Sequence, residues 1–280
     1  MKIKQKPLIR WTVGPCISQG IDILETSVRS MVSLYGDKFD YVICYNNLNK
    51  DYLSKLNSLA EEIHVNLLEQ DCNFLYHTNS IQDKDGSFPI NGDKCIGSTW
   101  KFSPDRLRFS SHEIFIDNDL VIQSKLNEID DFLSSDDKAF VLCDRYKYYG
   151  NYESDLLKTA PKYFNTGLVG LPPNYNICNL FREICKDAEI TQADEQGIVA
   201  SMLYRDFGHN LLIISDIGQI LAGSSECSYS YSGTNIDVEA VLFESIKHKV
   251  KGFHFCQANK IDKHIGWELY KRWIAVCVKS

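Results

Sequence analysis

No two cysteines stand at the CxxC spacing of a zinc or redox motif, although ten are spread through the 280 residues. Most lie inside apolar runs, Cys44 in YVICY, Cys143 in FVLCD and Cys277 in AVCV, where a thiol serves as a small hydrophobe. That pattern argues against a disulfide framework and for a reducing compartment. No apolar run reaches the roughly 18 residues of a membrane-spanning helix. The opening MKIKQKPLIRWTV carries lysines with no long apolar stretch behind them, so it does not read as a secretory signal. A cytoplasmic protein is the expectation. A basic surplus is also lacking: the formal net charge is −7, which speaks against a general nucleic-acid binder. Internal repeats, low-complexity tracts and an interdomain linker are missing too, so residues 1–280 read as one domain.

What the chain does have is a supply of core residues. It is 44% hydrophobic and 24% charged, with 15 Tyr, 14 Phe and 4 Trp, the balance of a globular protein. PLIRWTV reads as a first strand. Ile21, Leu24, Val28, Met31 and Val32 recur at helical spacing up to a glycine stop at Gly36. FDYVICY is a near-continuous apolar run, the mark of a strand covered on both faces. Leu53, Leu56 and Leu59 predict a second helix, and EIHVNLL a third strand. Strand, helix, strand, helix, strand is the opening of a parallel α/β sheet. Further strands are predicted at EIFID, KAFVLCD and FNTGLVGL. Helices are predicted over 125–133, 177–186 and 193–204. Residues 71–94 are polar and rich in turn formers, as is a tyrosine-rich stretch before Phe164.

Charge is uneven. From Ile246 onward eight Lys and Arg face two acids, a net +6 that leaves −13 for the rest. A helix over 264–278 would put Ile265, Leu269, Trp273 and Val276 on one stripe, flanked by Lys271 and Arg272. That stripe either packs on the rest of the domain or gives a weak peripheral contact with an anionic membrane surface.

Two carboxylates, Asp117 and Asp119, follow the apolar run EIFI. Close carboxylates repel, and burying them without a partner is costly. A strand delivers them to the edge where open α/β sheets bind ligands. Either a divalent cation neutralises them, or they are turn carboxylates capping the next helix. A second such pair, Asp83 and Asp85 in QDKDGS, has no apolar run feeding it and reads as solvated surface. His254, in KGFHFCQANK, is either a third ligand favouring Mn²⁺ over Ca²⁺ or a hydrogen-bonded, half-buried imidazole. Lys260 follows six residues later and carries the charge to meet a diphosphate.

Together these residues resemble a family, the metal-dependent glycosyltransferases of the A-type fold, and within them glycosyltransferase family 8, the bacterial galactosyltransferase and glycogenin group. Asp117-Asn118-Asp119 is similar to the family's D-x-D, and His254 through Lys260 to its C-terminal H-x-x-G-x-x-K. Gln257 replaces the glycine of that segment, and Ile261-Asp262 stands where Pro-Trp commonly follows. Asp144 in VLCD falls where the family has an aspartate contacting the donor sugar. Asn165, Thr166 and Gly167 fall on its N-A-G segment, and Asp194, Glu195 and Gln196 resemble the segment near the reacting carbon. Arg106 matches an arginine that contacts the donor, with Lys101 as its rival. The first strand ends Val13-Gly14-Pro15, without the family's acidic residue.

The resemblance implies an α/β, Rossmann-like nucleotide-diphospho-sugar transferase with a mixed sheet flanked by helices. It implies transfer from a nucleotide-sugar donor, UDP by default, to a glycan, lipid-linked or protein acceptor, with retention at the anomeric carbon. Mn²⁺ or Mg²⁺ would be held by Asp117, Asp119 and His254, and the basic segment 246–280 would close the donor site. The rival readings are a nucleotidyltransferase, which TVGPCISQG disfavours by lacking Arg and Lys, and a non-catalytic sugar-binding module.

Overall fold

The computed structural model describes residues 5–14, 18–46, 48–70, 106–144, 158, 160, 163–180, 194–221, 226–228, 235–237, 239, 242, 250–256, 258 and 263–277. The aspartates Asp83 and Asp85 lie outside these residues, as does most of the tyrosine-rich stretch. The opening follows the sequence pattern closely. Strand β1 (Leu8–Val13) leads to helix α1 (Ser18–Tyr35), β2 (Asp40–Tyr45), α2 (Lys50–Ile63) and β3 (Asn66–Glu69). In α1 the helically spaced Ile21, Leu24, Val28, Met31 and Tyr35 are all buried, the stripe that drives an amphipathic helix onto a sheet. The helix stops at Gly36, whose φ of +48° is the left-handed conformation glycine adopts at little steric cost. Helix α2 starts at Asn49, whose side chain accepts from the Tyr52 N–H.

The large sheet runs in the order β3-β2-β1-β4-β7-β6-β8, with β4 spanning Glu113–Ile116, β6 Ala139–Asp144, β7 Tyr163–Leu171 and β8 Leu211–Ile214. Strands β3, β2, β1 and β4 are mutually parallel. Strand β7 is antiparallel to both β4 and β6, and β8 is parallel to β6. The sheet is therefore mixed, and helices cover both faces. Ile9, Trp11, Ile114 and Ile116 pack with α1, α2 and α3 (Asn127–Leu133). On the opposite face Phe115, Val141, Phe164 and Val169 pack with α4 (Asp194–Phe207) and the helical turn 177–180.

A second sheet, in the order β11-β10-β9-β12-β5, has no counterpart in the sequence reading. It comprises β5 (Leu120–Ile122), β9 (Ile217–Leu221), β10 (Glu226–Ser228), β11 (Asn235–Asp237) and β12 (Gly252–Cys256). Helix α5 (Ile265–Cys277) packs on it through Trp267 and Tyr270, against Phe253, Phe255, Val121 and Ile220. The expected stripe holds in part, since Leu269 and Trp273 pack against this cluster, and is corrected at Ile265. Ile265 is 38% exposed, whereas Trp267 and Tyr270 are only 2% and 3% exposed. The buried face is rotated because Gly266 lies against Ile220, leaving no space for a side chain there. The side chain of Val276 lies outside the described residues.

Candidate active site

The chain leaves the large sheet at Ile116, the end of β4, and enters the second sheet at Leu120, the start of β5. Asp117, Asn118 and Asp119 are the whole of that crossing. Both ends are pinned by backbone bonds: the Asp117 N–H donates to Gly167 O at 2.8 Å, and the Phe255 N–H donates to Asp119 O at 2.8 Å. The second bond belongs to β12, which pairs with β5 and places His254 opposite Leu120. His254 therefore arrives beside the carboxylates by strand pairing. Its Nε2 stands 3.2 Å from Asp119 Oδ1 and 3.9 Å from Asp117 Oδ2. One ligand atom from each of the three residues lies within 4.8 Å of the others.

Strand β7 completes the cradle through a bulge. One step along β6, Val141 to Leu142, corresponds to Val169 to Asn165 on β7, so residues 166–168 are displaced from the β6 ladder. Gly167 sits in that bulge. A Cβ there would lie 2.8 Å from His254 Cε1 and from Asn165 Oδ1, and 3.3 Å from Asp117 Oδ2. Glycine is required at this point by close approach, because any side chain would push the imidazole away from the carboxylates. Asn165 is held in turn: its Oδ1 accepts from the Gly167 N–H at 2.8 Å, and its Nδ2 donates to Asp144 Oδ2 at 3.1 Å. Gln196, on the first turn of α4, donates to the same Asp144 oxygen at 3.5 Å. Thr166 and Glu195 are buried, each 2% exposed.

Electrostatics fit this arrangement. Burial opposes a charge on His254, yet its pKa is raised well above the ordinary 6.5 by Cys256 and by the Asp119 carboxylate with which it forms a hydrogen bond. Burial holds the Cys256 thiol above its own ordinary value, and therefore neutral, so Asp119 is the charge we hold responsible. The Asp119 carboxylate thus favours the charged imidazole against the effect of burial. A divalent cation supplies the same compensation, and two carboxylates with one imidazole nitrogen form a donor set suited to Mn²⁺. The residues present therefore fit a metal.

Not every predicted residue comes to this place. Arg106 lies at the opposite end of β4. Its guanidinium donates to the carbonyls of Pro172, Tyr175, Ser111 and Leu171 and faces Glu113, with Arg10 on the other side of that carboxylate. Arg106 is thus committed to bracing the sheet and is withdrawn from the donor-contacting set. Its burial disfavours the cation and lowers its pKa, against the pull of Glu113. Lys101 and Lys260 lie outside the described residues. Asp194 opens α4, and only its backbone is described. One residue escaped the sequence reading. Gln219, on β9, is 6% exposed and donates to Cys143 O at 2.9 Å; a glutamine inside the apolar run IGQIL was the signal that could have found it.

No protein-family model matches the sequence, and no curated protein matches it. Solved structures do. The bifunctional glycosyltransferase WbbM matches with a TM-score of 0.55 at 14% identity, over 97% of this chain and 52% of WbbM, so the chain spans about half that protein's length. LgtC, a galactosyltransferase solved with donor and acceptor sugar analogues, matches with a TM-score of 0.52 at 11% identity, over 97% of this chain and 95% of LgtC. Mouse xyloside xylosyltransferase 1 matches with a TM-score of 0.51 at 9% identity, over 92% of this chain and 100% of that protein. Identities this low speak to architecture, and the mixed seven-stranded sheet with helices on both faces is that of the glycosyltransferase A-type fold.

Proposed function

We propose that the protein is a metal-dependent glycosyltransferase of the family 8 type, moving a sugar from a nucleotide-diphosphate donor to an acceptor hydroxyl with retention. One observation carries this reading. Asp117, Asp119 and His254 converge within 4.8 Å at the carboxyl end of β4, on an A-type fold. Asp117, Asp119 and His254 would hold the cation, Mn²⁺ in preference to Mg²⁺ because one donor is nitrogen. When bound, the cation neutralises charge developing on the departing diphosphate.

The chain's own residues do the rest. Asp144 is the group that orients the donor sugar, and Asn165 and Gln196 fix its carboxylate by donating to it. Gly167 keeps the approach clear. Asp194 or Glu195 is the acid nearest the reacting carbon, and Lys260 adds a positive charge at the diphosphate. The segment 246–280 closes the donor site, with UDP the first nucleotide to try. A peripheral contact with anionic lipid would draw on charge, since the aromatic face of α5 is packed inward while Lys271 and Arg272 are exposed. No described helix is long and apolar enough to cross a membrane.

The deciding experiment is a panel of nucleotide sugars assayed for hydrolysis and transfer with Mn²⁺, with Mg²⁺ and with chelator. Mn²⁺-dependent release of a nucleoside diphosphate is the expected result. Binding without turnover across the panel would instead favour a sugar-binding module, and pyrophosphate release from a nucleoside triphosphate a nucleotidyltransferase.

A further inference from the structure

Strand β8 runs beside β6 from Ala139 to Leu142 and ends at Ile214. The chain then turns and returns as β9, which belongs to the second sheet. At the next residue of β6, the Gln219 side chain takes over from the strand: its Nε2 donates to Cys143 O at 2.9 Å. Cys143 immediately precedes Asp144, the carboxylate on which Asn165 and Gln196 converge. On the other side, Gln219 pairs in register with His254, its neighbour on the adjacent strand. One amide therefore spans the seam between the two sheets, next to the candidate cation ligand at one end and the candidate sugar contact at the other. At 6% exposure such an amide is tolerated only because it is bonded.

We propose that Gln219 is a positioning residue for sugar transfer, holding the Asp144 end of β6 in register with the His254 strand. The inference rests on the glycosyl-transfer reading of the site and adds to it a residue outside both carboxylate clusters. Gln219 has no part in the chemistry. It sets how far the sugar-orienting carboxylate stands from the cation, a distance to which a reaction of this kind is sensitive: a misplacement of about 1 Å can cost about a hundredfold in rate.

The test uses the full chain with Gln219→Met, which keeps the shape and removes the donor, and with Gln219→Glu. Mn²⁺ affinity is read by calorimetry, folding by thermal midpoint, and turnover with whichever panel donor the wild type uses. For Gln219→Met the expected result is Mn²⁺ affinity within about twofold of wild type and kcat lower by about tenfold, the order expected for one lost buried hydrogen bond. Gln219→Glu should be poor at about pH 8, where its carboxylate repels the Cys143 carbonyl. It should recover towards about pH 5.5, where the protonated acid donates again. The variant-to-wild-type ratio at each pH is the quantity to plot. Wild-type kcat in Gln219→Met, or a ratio for Gln219→Glu flat with pH, would overturn the proposal while leaving sugar transfer intact. If Gln219→Met does not fold, the ratio decides alone. Loss of folding in both variants would assign Gln219 to the structural frame and overturn the proposal as well. A wild type inactive on every donor fails the underlying reading, and the proposal with it.

Discussion

His254 Nε2 lies 3.2 Å from Asp119 Oδ1, and the backbones of the two segments are also joined, by the Phe255 N–H bonded to Asp119 O. Side-chain and main-chain contacts thus fix one another. The Asp119 backbone cannot move away from β12 without breaking that main-chain bond.

Replacing either carboxylate should remove the cation. Asp117→Asn and Asp119→Asn are each expected to weaken Mn²⁺ binding and to lower turnover by about a hundredfold or more, whereas Asp83→Asn leaves both unchanged. Calorimetry and donor hydrolysis measure the two effects. Equal activity in all three variants would remove the centre of the functional reading.

Gly167→Ala tests the bulge. The added methyl would meet His254 Cε1 and Asn165 Oδ1 at 2.8 Å. A rate loss of about tenfold to a hundredfold is expected from displacing the proposed cation ligand His254 and the proposed sugar contact Asn165 together, with about 1–3 kcal/mol of destabilisation from overpacking. Unchanged Mn²⁺ affinity and turnover would show that the imidazole has room to move.

If Lys260 meets the diphosphate as proposed, Lys260→Ala should lower kcat strongly with a small effect on acceptor KM, because such a contact would strengthen as charge develops on the leaving group. A change confined to acceptor KM would take Lys260 off the diphosphate.

The pH dependence of stability follows from His264, which caps α5. Its Nδ1 accepts from the Trp267 N–H at 3.3 Å and its Nε2 lies 3.2 Å from Ile220 O, an arrangement that suits a neutral ring. Burial lowers its pKa below 6.5, and His254 pushes the same way. The Ile220 and Cys256 backbone bonds and Asp119 pull upward and are outweighed. Below 6.5 the unfolded chain binds a proton that the folded chain refuses. The contribution is therefore complete above pH 6.5 and is lost as pH falls from 6.5 through the lower, folded value. Urea midpoints across that window should drop more steeply for wild type than for His264→Asn, which keeps a capping oxygen. Parallel slopes would clear His264 of the effect.

Helix α5 gives the last prediction. Trp267→Ala should cost about 3–5 kcal/mol, the usual range for deleting a buried indole. Lys271→Ala with Arg272→Ala should stay within about 0.5 kcal/mol per site while weakening any salt-sensitive binding to anionic liposomes. The reverse pattern would mean that the aromatic face is not core.

The parallel opening of the sheet could be read directly from the chain. Ile21, Leu24, Val28 and Met31 lie one helical turn apart, FDYVICY is apolar throughout, and a glycine stands where α1 must stop. These are local periodicities, and each element buries the face its own pattern marks. Asp117 and Asp119 were legible for the same reason, since an apolar strand leads straight into them. Asn165, Gly167 and Asp144 were legible through resemblance alone, because nothing in FNTG or VLCD states that a bulge in β7 will set Asn165 on Asp144 and Gly167 against His254.

The rest was decided in three dimensions. The second sheet is built from strands of three to five residues, too short to show a period, and β12 finds β5 only through pairing between distant parts of the chain. Arg106 has the charge of a donor contact, yet carbonyls from three separate turns and strands claim its guanidinium at the other end of β4. The stripe on α5 was right at Leu269 and Trp273 and wrong at Ile265, because hydropathy cannot tell which of two adjacent faces centres on Phe253 and Phe255, and close packing of Gly266 against Ile220 makes that choice. Local pattern, then, determined the strands and helices that open the large sheet and the position of the carboxylate pair. Burial and long-range strand pairing determined which polar groups meet, because an isolated segment carries no record of what will stand opposite it.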